Sequence, residues 1–259
     1  DYAGLHALLT TGAIPPRPAG AMSGTEFVAD VAGLDRTARE ARILAEITGG
    51  NIPGYLRTFV PITVSANISG IPTTATYYVT RDYLGIGTDD DFVRIPMSPL
   101  IAQPIADAFN CLMPTRKMVD DIYTHATVKL APSPISPTTT DIMRMTTMFR
   151  HHETVEAQRT GQPLAALIGG IKKDVVITPQ LATHPGKVAI YGWHQLNGVP
   201  IQPLYLGHVD FYADYSHGIR LVRDHMLVNG VEMLTADVLA DPNLNVLLSD
   251  EGVLANPSY

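Results

Sequence analysis

Cys111 is the only cysteine in the chain, and it stands just ahead of a strong helix start in Asn110-Cys111-Leu112-Met113-Pro114-Thr115. A thiol with no intramolecular disulfide partner, near the positive end of a helix, is a candidate nucleophile because that field favours the thiolate. It would need a proton acceptor. His217, which opens the strand-like run Gly218-Ile219-Arg220-Leu221-Val222, is the strongest candidate. The competing reading of Cys111 is a small buried core thiol.

The stretch from His208 to His217 concentrates polar and aromatic groups between two strand-like runs. A histidine beside carboxylates in such a connection is a reasonable general base, with Asp214, His208 or Asn229 as the group that orients it. Arg220 could hold a substrate carboxylate, while Tyr215, Ser216 and Trp193, with His194 beside it, could line the same pocket. Equally, Asp214 and Ser216 could cap turns while the aromatic rings simply pack. A metal-based alternative uses His152 and Glu156, one helical turn apart in His151-His152-Glu153-Thr154-Val155-Glu156, with His208 or His217 as a further zinc ligand. Asp89-Asp90-Asp91 could take calcium or be a solvated turn. No glycine loop of the dinucleotide or Walker type is present, and the sequence calls for no organic cofactor.

These residues need elements to carry them. Asp35 should cap a helix bearing Ala38, Ala41, Leu44 and Ile47, closed by Gly49-Gly50. Phe59–Ala66 and Thr73–Thr80 read as a hairpin, and Phe92–Pro96 as a short strand. Pro99–Asn110 and Thr115–Leu130 read as helices flanking the cysteine, the second with Met118, Ile122, Ala126 and Leu130 on one face. The prolines of 131–137 form a connection, and Thr140 or Asp141 should open a further helix. Strands then follow at Asp174–Thr178, Lys187–His194, Val199–Leu206, Gly218–Arg223, His225–Val228 and Val231–Leu234, with Leu196-Asn197-Gly198 and Asn229-Gly230 as turns. Thr235 and Asp241-Pro242 start the last helical turns. The expected architecture is α+β, an antiparallel sheet packed against helices. Residues 1–54 form a helical lead-in and 55–259 a single domain, with 131–170 as a possible insertion.

With 46% hydrophobic and 17% charged residues, the chain can bury a full core. Its net charge of −7 argues against nucleic acid or an anionic membrane surface as partner and favours a peptide or small molecule. No apolar run reaches the length of a spanning helix. A first residue of Asp rather than Met is compatible with a removed signal peptide, so an exported form is favoured over a cytoplasmic one. Oligomeric state is not legible.

The order of a cysteine-bearing helix followed by a sheet with a histidine at a strand start resembles the NlpC/P60 and related papain-like cysteine hydrolases, over roughly 99–130 and 172–233. That resemblance implies a bacterial hydrolase of amide or peptide bonds, possible cell-wall peptides included. Cys111 would be the nucleophile, His217 the base, and His225 or Asn229 among the candidate orienting groups. The family's Asp-Cys-Ser-Gly-like sequence is replaced here by Asn110-Cys111-Leu112-Met113. Ser216-His217-Gly218-Ile219-Arg220 is similar to the L,D-transpeptidase signature, but Ile219 stands where that family has its cysteine. The third expectation is a non-catalytic ligand-binding or surface-associated module.

Overall fold

Alternating hydroxyl and apolar residues set the longest hairpin. The computed structural model, which describes residues 13–136 and 141–259, pairs β1 (Phe59–Ile68) with β2 (Ile71–Thr80) from Phe59↔Thr80 to Ile68↔Ile71. Ser69 and Gly70 close it with φ of 52° and 85°, the left-handed pair that a two-residue turn needs. On the solvent side hydroxyls pair across the strands, Thr63 with Thr76 at 3.0 Å and Ser65 with Thr74 at 3.2 Å. The apolar side, with Ile62, Ala75 and Tyr77, faces the core.

β2 is the hub of a six-stranded sheet ordered β14-β13-β2-β12-β5, with β1 on the other edge of β2. Here β5 is Cys111–Leu112, β12 Val222–Arg223, β13 His225–Val228 and β14 Val231–Leu234. Four further strands form a second sheet ordered β10-β9-β8-β11: β8 (Lys173–Val175), β9 (Ile190–His194), β10 (Pro200–Tyr205) and β11 (His217–Gly218). β3 (Gly85–Gly87) pairs with β4 (Phe92–Arg94), and β6 (Val128–Lys129) runs parallel to β7 (Ile168–Gly169).

Six α-helices complete the described residues: α1 (Gly24–Val31), α2 (Arg36–Thr48), α3 (Pro99–Ala108), α4 (Arg116–His125), α5 (Met145–Arg159) and α6 (Thr235–Ala240). With 31% helix and 25% strand, and with antiparallel sheets, the fold is α+β. None of the described helices is long and apolar enough to cross a membrane. One core joins Phe27, Ile43 and Ile47 of α1 and α2 to Phe59 and Tyr77 of the hairpin and Met118 of α4. The expected division at residue 54 therefore has a shared core across it.

Several expectations shift. α2 is capped by Asp35 as expected, but it buries Arg39, Glu40, Ile43 and Ile47, and Ala41 is exposed. Glu40 turns inward because it accepts from the backbone N and the hydroxyl of Ser98 at 2.8 and 3.0 Å. α4 stops at His125, and Val128 joins β6. α5 starts at Met145; Pro137 and Thr140 lie outside the described residues, as do residues 1–12 of the lead-in. The run Gly218–Arg223, expected as one strand, is divided, with β11 in the four-stranded sheet and β12 in the six-stranded one. Asp89 and Asp91 act as caps: Asp89 accepts from Tyr55 N at 3.0 Å and Asp91 from Thr25 N at 3.0 Å.

Candidate functional site

The division between β11 and β12 separates the two residues on which the sequence reading turned. Cys111 lies in β5, opposite Arg223 of β12, and not at the mouth of α4, which Thr115 caps through a bond to Met118 N. Its Sγ donates to Phe109 O at 3.3 Å, and burial, only partly offset by Arg223, pushes the thiol up to about 12. Cys111 is thus a core thiol. His217 stands in the other sheet, where the charged groups acting on it are Asp214, Lys173, His208 and Lys172. The structure does not bring Cys111 and His217 together.

Much of the His208–His217 stretch does converge. His208 stacks on Tyr212 with ring centroids 3.9 Å apart and lies 6.4 Å from the His217 ring. Asp214 Oδ1 accepts from the backbone N and hydroxyl of Ser216 at 2.7 and 2.5 Å, and Oδ2 accepts from Tyr212 at 2.9 Å. Burial would raise the Asp214 carboxyl, but His217 and the Ser216 donors hold it below the usual range. Its Oδ2 is 3.9 Å from His217 Nε2, too long for a hydrogen bond. His217 is sealed from solvent, burial lowers it to about 4, and neither ring nitrogen has a partner. Tyr215 accepts from Ile135 N at 2.8 Å through its hydroxyl. Ser216 is therefore a turn cap, and Tyr215 an anchor for the proline segment.

Two expected site residues lie elsewhere in role. Asn229 accepts from Thr74 N at 2.9 Å and shapes the β13–β14 turn against β2. Arg220 is buried, donates to Thr80 O and Ile168 O at 2.8 Å each, and stacks over Tyr83 at 4.5 Å, so it cannot reach out to a substrate. The zinc set also dissolves. His152 Nδ1 faces Arg94 at 3.3 Å and Glu156 pairs with Arg94 at 2.7 Å, and burial together with Arg94 lowers His152 to about 3. Among the described residues no three of His, Cys, Asp and Glu are placed to hold a metal.

What assembles instead lies between α4 and β9. A cleft of about 390 Å³ is lined by Asp120, Tyr123, Lys129, Tyr191 and His194, among others. His194 Nε2 and Asp120 Oδ1 are 2.7 Å apart, and the same carboxylate accepts from Tyr191 at 3.0 Å. The carboxylate fixes the imidazole proton on Nε2 and leaves Nδ1 as the basic nitrogen. Tyr123 stacks on the imidazole at 4.5 Å and is itself tied to Gln195 O at 2.7 Å. Two positive φ values, 109° at Gly192 and 56° at Trp193, break the strand's alternation just before His194. For tryptophan that conformation is strained, and such strain collects at functional sites.

Behind this mouth, sharing Tyr123 and His194, is a cavity of about 10 Å³, the size of one water, reached by Lys172, Asp174, Arg220 and Tyr83. Asp174 Oδ2 accepts from Tyr83 at 2.7 Å, while Oδ1 has no hydrogen-bond partner and faces Arg220 Nε at 3.9 Å. Burial raises Asp174 to about 6 against the pull of Arg220. Burial likewise drives Lys172 down to about 7, with Arg94 adding to it. A Cβ on Gly192 would stand 3.6 Å from both Asp174 Oδ2 and His194 Cε1, so the absent side chain leaves the gap between them open. A larger hollow of about 450 Å³ near the C-terminus has mainly apolar walls, and its His184 is spent on Gln180 O at 2.8 Å.

Of the groups gathered here, His194 was legible as a candidate in the sequence, whereas Asp120, Lys172 and Asp174 were not; Trp193, expected in the same pocket, lines neither cavity. Asp120 sits on the polar face of an amphipathic helix, where carboxylates are ordinary. The available signal was Gly192 inside an aromatic strand, which marks a close approach. No protein-family model matches the chain, and the comparisons find no similar curated protein and no similar solved structure.

Proposed function

We propose that the protein is a hydrolase of amide or peptide bonds that works by acid–base activation of water at the His194–Asp120–Asp174 cleft. The observation that carries this reading is the meeting of a hydrogen-bonded imidazole–carboxylate pair with a carboxyl raised toward neutrality across a water-sized cavity. From the resemblance to NlpC/P60 hydrolases it keeps the reaction class and replaces the nucleophile.

His194 Nδ1 takes a proton as water attacks the carbonyl carbon, and Asp120 stabilises the imidazolium. The carbon–nitrogen bond breaks as Asp174, in its acid form, gives its proton to the leaving nitrogen. The proton on His194 then returns to Asp174, so both residues end as they began. The field of Lys172 favours the oxyanion of the tetrahedral intermediate.

Screening the purified protein against unmodified and acyl-amide peptides tests the reading. His194→Ala and Asp120→Ala should each lower kcat/KM by about 10²–10⁴, and Cys111→Ala should leave it intact. Loss of turnover in Cys111→Ala with His194→Ala still active would return the chemistry to the thiol.

A further inference from the structure

From Val188 to Val209 the sequence contains no Asp, Glu, Lys or Arg. That stretch folds into β9, β10 and the turn between them, and it leaves Leu196, Val199 and Ile201 64%, 54% and 39% exposed. β10 is an edge strand of its sheet. Solvated edges are ordinarily guarded by charge, so an apolar one marks a surface that meets something. Pro200 and Pro203 on β10 work against the addition of a further strand, which leaves the side chains as the recognised feature.

The proline segment stands beside this turn. Ala131, Pro132 and Pro134 line a trough of about 500 Å³ together with Leu196 and Ile201, within the range of about 300–1,000 Å³ typical of ligand sites. Both walls are held in place. Ile135 N donates to the Tyr215 hydroxyl at 2.8 Å and Gln158 Nε2 donates to Ser133 Oγ, while the pyrrolidine rings fix φ at Pro132 and Pro134. In the turn, Gln195 N donates to Val199 O at 2.9 Å, Gly198 N to Gln195 O at 2.8 Å, and Asn197 Oδ1 accepts from Val199 N at 3.0 Å.

The amides of Gln195 and Asn197 are the only polar side chains lining the trough, and none of the described residues lining it is charged. Such a surface gains by covering an apolar group and offers nothing to offset the desolvation of a charged one. Its position supplies the occupant. Leu196 and Asn197 line the trough and the catalytic cleft alike, and Gln195 directly follows His194. A peptide bound at His194 and Asp120 therefore lays a neighbouring side chain across the turn.

We propose that the trough is the specificity subsite of the cleft and takes a large aliphatic or aromatic side chain, such as that of leucine or phenylalanine, from a peptide residue next to the bond held at His194. The proposal rests on the hydrolase reading for its substrate. Its own content is side-chain selection, which binding alone can show.

The full chain and its His194→Ala variant are titrated by calorimetry with N-acetylated, C-amidated tetrapeptides of the forms Ala-X-Ala-Ala and Ala-Ala-X-Ala, with X as Gly, Leu, Phe or Asp. Turnover of the same peptides is followed by mass spectrometry. At one of the two positions Leu and Phe should bind about tenfold more tightly than Gly, with no gain for Asp. Ile201→Ser, which changes the trough without touching the cleft lining, and Ala131→Phe, which fills the trough, should each lower that Leu-to-Gly ratio at least about threefold. Equal affinity for every X, no measurable binding of Leu or Phe peptides, or an unchanged ratio in both variants overturns the proposal. So does a wild-type dimer in sedimentation that Ile201→Ser dissociates with the peptide ratio unaltered, since the face is then a contact between copies. Selective binding without turnover upholds the subsite and removes the hydrolase reading, whereas turnover indifferent to X upholds the hydrolase and removes the subsite.

Discussion

Replacing Lys172 by methionine tests the most heavily perturbed cation of the site. Its ammonium is buried, and its pKa falls from 10.5 to about 7, first through burial and then through Arg94. Between those values the unfolded chain holds the proton and the folded chain has released it. Wild-type stability therefore rises with pH across that window and is lowest below pH 7, where folding must bury the charge. A displacement of this size corresponds to about 5 kcal/mol at its limit, of which about 3–4 kcal/mol should appear between pH 7 and pH 10. Methionine fills similar volume and carries no proton. It leaves His151 Nδ1 and Tyr215 O without their donor, at about 1–3 kcal/mol each. That cost is constant across the window, because burial keeps His151 neutral throughout it. Urea unfolding of both proteins at half-unit steps should thus show the variant losing about 3–4 kcal/mol relative to wild type as pH rises from 7 to 10. Tyrosine titration in the unfolded chain is common to both and cancels. A difference flat to within about 1 kcal/mol would mean that Lys172 keeps its proton throughout, and the account of the buried cavity would fail.

Cys111, with its thiol pushed up to about 12, should resist iodoacetamide at pH 8 until the protein is unfolded; rapid labelling of the native protein, read by mass spectrometry, would contradict its placement. Arg94→Met strands the buried carboxylate of Asp82, now paired at 2.6 Å, and should lower unfolding free energy by about 3–5 kcal/mol, with part recovered in the Asp82→Asn double variant. Asp174 serves as an acid only while protonated, so peptide hydrolysis should decline as pH rises through about 6, and Asp174→Asn should remove that limb together with most of the turnover. At Gly218 an added Cβ would stand 2.4 Å from Tyr83 Cδ1, so Gly218→Ala should cost about 1–3 kcal/mol in urea unfolding; an unchanged midpoint would refute that packing.

Elements whose signal is local were legible in the chain. The β1–β2 hairpin, the Asp35 cap, the Asn229-Gly230 turn and the placing of Met118 and Ile122 on the core face of α4 follow from residue type and period, while Ala126 and Leu130, expected on that face, lie past the helix end. Elements set by a partner were not. Glu40 faces inward only because Ser98 supplies two donors, and His152 and Glu156 share a helix face, as a metal would want, but meet Arg94 there. The candidate site failed to read for the same reason: Asp120, Asp174 and His194 come from a helix and two strands, and nothing in their neighbourhoods along the chain marks them as companions.

The sequence by itself determined an α+β chain with enough apolar residues for a shared core, a solitary thiol, and a glycine set among aromatic residues in what became β9. Tertiary structure decided which of its many histidines and carboxylates meet. It placed β11 and β12 in different sheets, which parted His217 from Cys111, and it laid α4 across β9, which joined Asp120 to His194. Period and propensity act over one or two turns of chain, whereas proton chemistry needs groups within about 3 Å of each other, and only the packing of whole elements fixes distances of that kind.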